Sequence, residues 1–231
     1  MPTDTVSILE GNEFVVSDAR GDIEATPANS VGLFRDDTRF LSRWILTING
    51  LRPLLLSTDD LAYFRVKFFL ALATGTVYVD SHLSVQRQRA VGEGFHEDLT
   101  LVNHENQPMQ LSVRLEAGAD FADLFEVKDK LSKQGQLYRR VDGGRLILGY
   151  QRDSFRRETI ISSSQPAEVS PEGFLYDITI PPHGRWETCL EVAASSNIRR
   201  GHDGSGRERP KYAHGATEPR PELQALSLIH I

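Results

Sequence analysis

Two neighbouring carboxylates, Asp36 and Asp37, open the run Asp36-Asp37-Thr38-Arg39. Paired carboxylates are the machinery of glycoside hydrolysis, where they flank the scissile bond about 5–10 Å apart. Adjacent residues on a strand point to opposite faces, so this pair does not converge on one bond. At a strand entry Asp37 is expected to cap a turn or to pair with Arg39 or Arg43, and Arg39 to hold a structural ion pair with Asp37 or another near carboxylate. His96-Glu97 is the one acid–base-like dipeptide among seven histidines, none of which lies three or four residues from another as a helical metal pair requires. Cys189, in WETCLEV, reads as a buried structural thiol rather than a nucleophile. Arg87 and Arg89 share one strand face. Either they are buried, and need a partner such as Glu97 on the next strand, or they lie at a solvated strand end. The chain has no Gly-x-Ser-x-Gly, P-loop or Gly-x-Gly-x-x-Gly motif, and we assign no catalytic, metal-binding or cofactor-binding residue and expect no cofactor.

The elements that must position these residues are strands. Leu99 and Leu101, then Leu111, Val113 and Leu115, alternate with polar residues. Turn formers between Asn103 and Pro108 separate the two runs, a pattern that predicts a hairpin with a long loop. Alternation recurs at 40–48, 77–85, 146–150, 174–180 and 186–192, divided by Asn49-Gly50, Asp142-Gly143-Gly144, Pro171-Glu172-Gly173 and Pro181-Pro182-His183-Gly184. Short strands with turns between them predict a mainly-β, antiparallel sandwich over residues 1–196. Residues 59–73 fit a short helix or a strand. In 119–127, Phe121, Leu124 and Phe125 fall on one helical face, which predicts a short turn or helix closing the sandwich edge.

The chain's 231 residues fit one large domain or two small ones, and 39% hydrophobic with 25% charged residues is ordinary globular usage. A net charge of −6 and a pI near 5.7 argue against a nucleic-acid partner. One cysteine excludes an intramolecular disulfide and a cysteine-based zinc cluster. The N-terminus lacks the basic start and apolar stretch of a secretory signal, and the most apolar stretch, 63–73, carries Arg65 and Lys67 and is about half a spanning helix long. A cytoplasmic protein without a membrane partner is expected. Residues 197–225 are rich in Gly, Pro and Arg and are expected to be a disordered linker or tail. The terminal LSLIHI, residues 226–231, resembles a translated sequencing-adaptor end, which would make it an artefact.

Four blocks carry a resemblance. In GLFRDDTRFLSRWILTINGLRPLLLS the residues Gly32, Leu33, Phe34, Asp37, Thr38, Arg39, Phe40, Leu41, Ser42, Asn49 and Gly50 match the hallmark of the N-terminal domain of bacterial glycogen-debranching, amylo-α-1,6-glucosidase-like proteins. FVVSDARGDI resembles that family's opening strand and Gly-Asp turn. HEDLTLVNHENQPMQLSVRLEAGADFADLFEVK resembles its Glu-x-Leu-x-Leu-x-Asn hairpin and the segment holding Asp120, Phe121, Asp123 and Phe125. PPHGRWETCLEV resembles its closing strand. The resemblance implies a supersandwich-like domain that supports α-glucan hydrolysis by a C-terminal (α/α)6 catalytic domain, with that domain and α-glucan as the expected partners. No run of long amphipathic helices occurs, so the chain is expected to stop before the barrel and to be inactive alone. The matched residues are therefore expected to be structural. The first alternative is a free-standing carbohydrate-binding module using Trp44, Trp186, Tyr63 or Tyr78. The second is an epimerase-type enzyme in which His82 or His96 and a glutamate converge in a groove.

Overall fold

The computed structural model describes residues 5–26, 29–73, 79–92, 94–123, 126–127 and 135–196. In chain order the strands are β1 (Thr5–Glu10), β2 (Glu13–Asp18), β3 (Ile23–Glu24), β4 (Gly32–Arg35), β5 (Thr38–Leu41) and β6 (Arg43–Ile48). Then come β7 (Leu54–Ala62), β8 (Arg65–Ala73), β9 (Val79–Val91), β10 (Phe95–Asn103) and β11 (Met109–Gly118). The last six are β12 (Gln136–Asp142), β13 (Arg145–Arg152), β14 (Phe155–Ser163), β15 (Glu168–Ser170), β16 (Gly173–Ile180) and β17 (Arg185–Ser196). They form an eight-stranded sheet in the order β12-β13-β14-β17-β10-β9-β8-β7, a five-stranded sheet β15-β16-β11-β6-β3 and a four-stranded sheet β1-β2-β4-β5. Every ladder between described strands is antiparallel. The fold is the mainly-β antiparallel sandwich expected from the period of two.

Strand β10 shows how the sequence builds it. In FHEDLTLVN, Phe95, Glu97, Leu99, Leu101 and Asn103 are all buried, while Asp98, Thr100 and Val102 on the opposite side are partly open. Its inward set faces partners of the same kind on β17, with Phe95 opposite Val192 and Leu101 opposite Trp186. Trp44 of β6 then meets Phe95 edge-on at 5.6 Å, and Tyr176 of β16 meets Trp186 at 5.1 Å. The five-stranded sheet thus covers the middle of the eight-stranded one, and the aromatic edges add to the gain from buried apolar area. The four-stranded sheet is joined to the long sheet by Leu9 N donating to Tyr63 O and Thr159 Oγ1 donating to Phe40 O at 2.6 Å.

Two expectations are corrected, and one open choice is settled. The runs Leu99–Leu101 and Leu111–Leu115 do not form a hairpin: β10 pairs with β9 and β17, whereas β11 pairs with β16 and β6 in the other sheet. Buried Asn103 makes the corner. Its Nδ2 donates to Gln107 O, Ile180 O and Pro181 O, and its Oδ1 accepts from Glu105 N. The run 40–48 is two strands in different sheets, broken at Ser42, whose N bonds Gly118 O. Of the two readings open for 59–73, strand is the one found: β7 ends at Ala62, Tyr63 and Phe64 turn, and β8 begins at Arg65. Alternation tells which residues face inward but not which sheet they join. Among the described residues no helix is long and apolar enough to cross a membrane, which says nothing of β-barrels. The expected tail 197–225 and the hexapeptide 226–231 lie outside the described residues.

Candidate functional site

Asp36 and Asp37 form the two-residue turn between β4 and β5, where Arg35 faces Thr38. Asp36 takes a positive φ and accepts a hydrogen bond from Asn12, and Asp37 is exposed. Arg39 turns away from both. Its Nε and Nη2 reach Asp120 Oδ1 and Oδ2 at 3.1 and 2.5 Å, a bidentate pair, and its Nη1 donates to Val31 O. Its stem lies across Gly32, where a Cβ would sit 2.5 Å from Arg39 Cδ and 2.9 Å from Leu41 O. Gly32 therefore makes room for the arginine seven residues on. Phe34 stacks on Phe14 at 4.8 Å, and Phe40 meets Phe121 edge-on at 5.7 Å. Thr38 bridges to Asp123, whose Oδ1 accepts from Glu126 N while Glu126 Oε2 accepts from Asp123 N. That reciprocal box opens the helical turn expected in this segment. Leu124 and Phe125 lie outside the described residues. Asn49 and Gly50, both at positive φ, form the turn after β6, and Asn49 Oδ1 accepts from Ser112 N of β11.

Arg87 and Arg89 of β9 point into the sandwich, each 1% exposed, and meet Glu97 of β10 at 0%. Arg87 donates to Glu97 through Nε at 3.1 Å and to Asp22 through Nη1 at 2.7 Å, and Arg89 donates to Glu97 through Nε. Asp22 also accepts from Leu46 N, tying the four-residue charge cluster to the five-stranded sheet. Among the described residues Arg89 Nη1 and Nη2 have no hydrogen-bond partner, and the guanidinium lies between the Phe68 and Phe95 rings at 5.4 and 5.5 Å. Burial brings Arg89 down to about 10 against the opposing pull of Glu97, with Arg87 adding to the fall. Burial would lower Arg87 too, but Glu97 and Asp22 hold it above its ordinary value. Burial would raise Glu97, yet the two guanidinium groups keep its carboxyl below the usual range.

On the opposite face of β10, His96 Nε2 lies 3.0 Å from Asp98 Oδ1, and Cys189 Sγ of β17 lies 3.4 Å from His96 Nδ1. Burial pushes the Cys189 thiol up to about 12, with Asp98 and Glu191 adding to the rise. Burial works to lower His96, but Asp98 and the nearby Glu191 and Glu97 leave it raised. His82 sits at the far end of the β9–β10 pair beside Glu105, so the structure does not bring the two histidines together. Of the aromatic platforms, Trp44 is fully buried, Trp186 packs on Tyr176, Tyr63 is 46% exposed, and Tyr78 lies outside the described residues.

The profile of one protein family, the N-terminal domain of (some) glycogen debranching enzymes, matches residues 8–191. The chain belongs to this family. In this debranching-type domain the match runs from β1 into β17 and so takes in both charged clusters and the Gly32–Asp120 region. No curated protein sequence matches the chain. Solved structures that align with it include a protein named as a kojibiose phosphorylase from human microbiome, at 8% identity and TM-score 0.44 over 72% of this chain. The chain spans 23% of that protein's length. Others are galactose mutarotase-like proteins from Clostridium acetobutylicum (6% identity, 84% of this chain and 95% of that one) and Lactobacillus casei (8%, 83% and 100%), each with TM-score 0.45.

Within the debranching-type domain, sequence reasoning paired Arg87 and Arg89 with Glu97 as one of two options and left out Asp22, Asp98 and Glu191. Asp22 carried a signal, since it stands in the Gly-Asp turn of the opening block. Asp98 and Glu191 each stand two residues from a residue already singled out, on the same strand face, which is where period two would have placed a neighbour.

Proposed function

We propose that this debranching-type domain is non-catalytic and supports α-glucan hydrolysis by an (α/α)6 catalytic domain, acting in the cytoplasm. The observation that carries this reading is the family match across 8–191, which spans the sandwich from β1 to β17. The internal chemistry agrees with it. The buried carboxylates Asp22 and Glu97 are held by Arg87 and Arg89, and Asp120 by Arg39, so these groups position strands rather than await a substrate. In this reading residues 1–196 are the sandwich, 197–225 tether it to the partner domain, 226–231 have no role, and Gly32, Phe34, Asp37, Thr38, Arg39, Phe40, Asn49, Gly50, Asp120, Phe121, Asp123 and Phe125 serve the fold.

The test is incubation of the purified chain with a branched limit dextrin. No glucose release is expected. Turnover that disappears on substituting a residue within 8–191 would overturn the non-catalytic reading. Tight binding of a linear maltooligosaccharide that is lost in Tyr63→Ala would favour the free-standing carbohydrate-binding module instead.

A further inference from the structure

Four side chains on the outward face of the long sheet form a compact square. His96 and Asp98 stand two apart on β10, Glu191 and Cys189 two apart on β17, and the ladder sets His96 opposite Glu191 and Asp98 opposite Cys189. Directly opposite antiparallel neighbours on one face hold their Cβ atoms about 4.5–5.5 Å apart, so these side chains are close neighbours. One donor atom from each of His96, Cys189 and Glu191 lies within 4.8 Å of the others.

We propose that this square binds a divalent transition-metal ion of the zinc class through Cys189 Sγ, His96 Nδ1 and a Glu191 carboxylate oxygen, with Asp98 orienting the imidazole. The distances fit. Zinc bonds of about 2.3 Å to sulfur and 2.0–2.1 Å to nitrogen at a tetrahedral angle place S and N about 3.5 Å apart, and Sγ and Nδ1 are 3.4 Å apart. The second shell is also in place. With Nε2–H donated to Asp98 Oδ1 at 3.0 Å, Nδ1 is left as the unprotonated nitrogen, the carboxylate–histidine–metal arrangement that fixes the tautomer, and because Sγ also lies 3.6 Å from Nε2 the imidazole must rotate to turn the Nδ1 lone pair toward a metal held by sulfur.

Electrostatics supply the remaining argument. Among the described residues no lysine or arginine forms an ion pair with Asp98 or Glu191, although His96 is only 7% exposed and Cys189 is buried beside them. Two carboxylates beside the thiol and the imidazole give this face the negative charge that a cation needs, and a bound metal takes Cys189 as the thiolate. Coordination forms the S–metal bond and releases the thiol proton to solvent. Glu191 is exposed, which gives the ion a route in and leaves a fourth position for water. The bound ion would pin β10 to β17, the two central strands of the eight-stranded sheet.

The experiment titrates the metal-free full chain with Co²⁺ and displaces it with Zn²⁺. Expected are a thiolate-to-cobalt charge-transfer band in the near ultraviolet and tetrahedral ligand-field bands in the visible, both removed by Zn²⁺. Cys189→Ser should lose the charge-transfer band, and Asp98→Asn should weaken cobalt binding about 10–100-fold while keeping it. A second measurement needs no variant: native mass spectrometry of the metal-free full chain with Zn²⁺ should show one bound zinc that survives mild desalting. A charge-transfer band that is absent from the full chain or persists in Cys189→Ser, or a native mass spectrum that shows no bound zinc, would overturn the assignment.

Discussion

Consecutive residues of β10 carry two different kinds of polar cluster. Glu97 faces inward and meets Arg87 and Arg89, with Asp22 completing a set of two cations and two anions. His96 and Asp98 face outward and meet Cys189 and Glu191, a set with two carboxylates and no lysine or arginine partner among the described residues. The inner set balances its own charge because water cannot do it there, and isolated ions in a core cost several kcal/mol each. The outer set is near enough to solvent to tolerate an imbalance, which is what a site for an incoming cation requires. Structural and ligand-binding polarity are thus separated by one step of the pleat.

The comparison breaks hardest at its inner half. Glu97→Gln removes the anion that faces two buried guanidinium groups and should cost about 3–5 kcal/mol in a denaturant melt. A loss under about 1 kcal/mol would show the arginines compensated by another route. The same carboxyl sets an acid limb. Its folded-state pKa is lowered, so its stabilisation is fully present above the unfolded value near 4.3 and is lost as pH falls through the lower folded value. The midpoint of the parent chain should fall steeply below about pH 4, and Glu97→Gln should flatten that limb. An unchanged slope would remove Glu97 from the acid response.

An intermediate case is Arg39, itself buried but paired with the partly exposed Asp120. Gly32→Ala drives a Cβ into its stem and into Leu41 O, and should cost about 1–3 kcal/mol. Combining it with Arg39→Ala should cost less than the two single changes added together, because the clash disappears with the side chain. Strict additivity in the double-mutant cycle would show that the two sites do not touch. The smallest effect belongs to the outer half. In the metal-free chain Asp98→Asn should shift stability by less than about 1 kcal/mol, as expected for a partly exposed pair. A loss as large as that of Glu97→Gln would erase the distinction between the two faces of β10.

The sequence by itself determined the period of two, the turns at Asn49-Gly50 and Gly143-Gly144, the inward residues of β10 and β11 and the shared face of Arg87 and Arg89. All of these follow from sterics within a few residues, where backbone geometry repeats whatever the rest of the chain does. Only the tertiary structure decided that β10 and β11 separate into different sheets, that Arg39 pairs with Asp120 rather than with Asp37, that Asp22 joins the buried arginines and that Cys189 meets His96. Arg39 and Asp120 are 81 residues apart, and His96 and Cys189 are 93 apart. A strand with one apolar face can be buried against any sheet that offers another. The choice among them is made by the packing of Trp44 on Phe95 and of Tyr176 on Trp186, and by the corner at Asn103, none of which has a signature in local spacing.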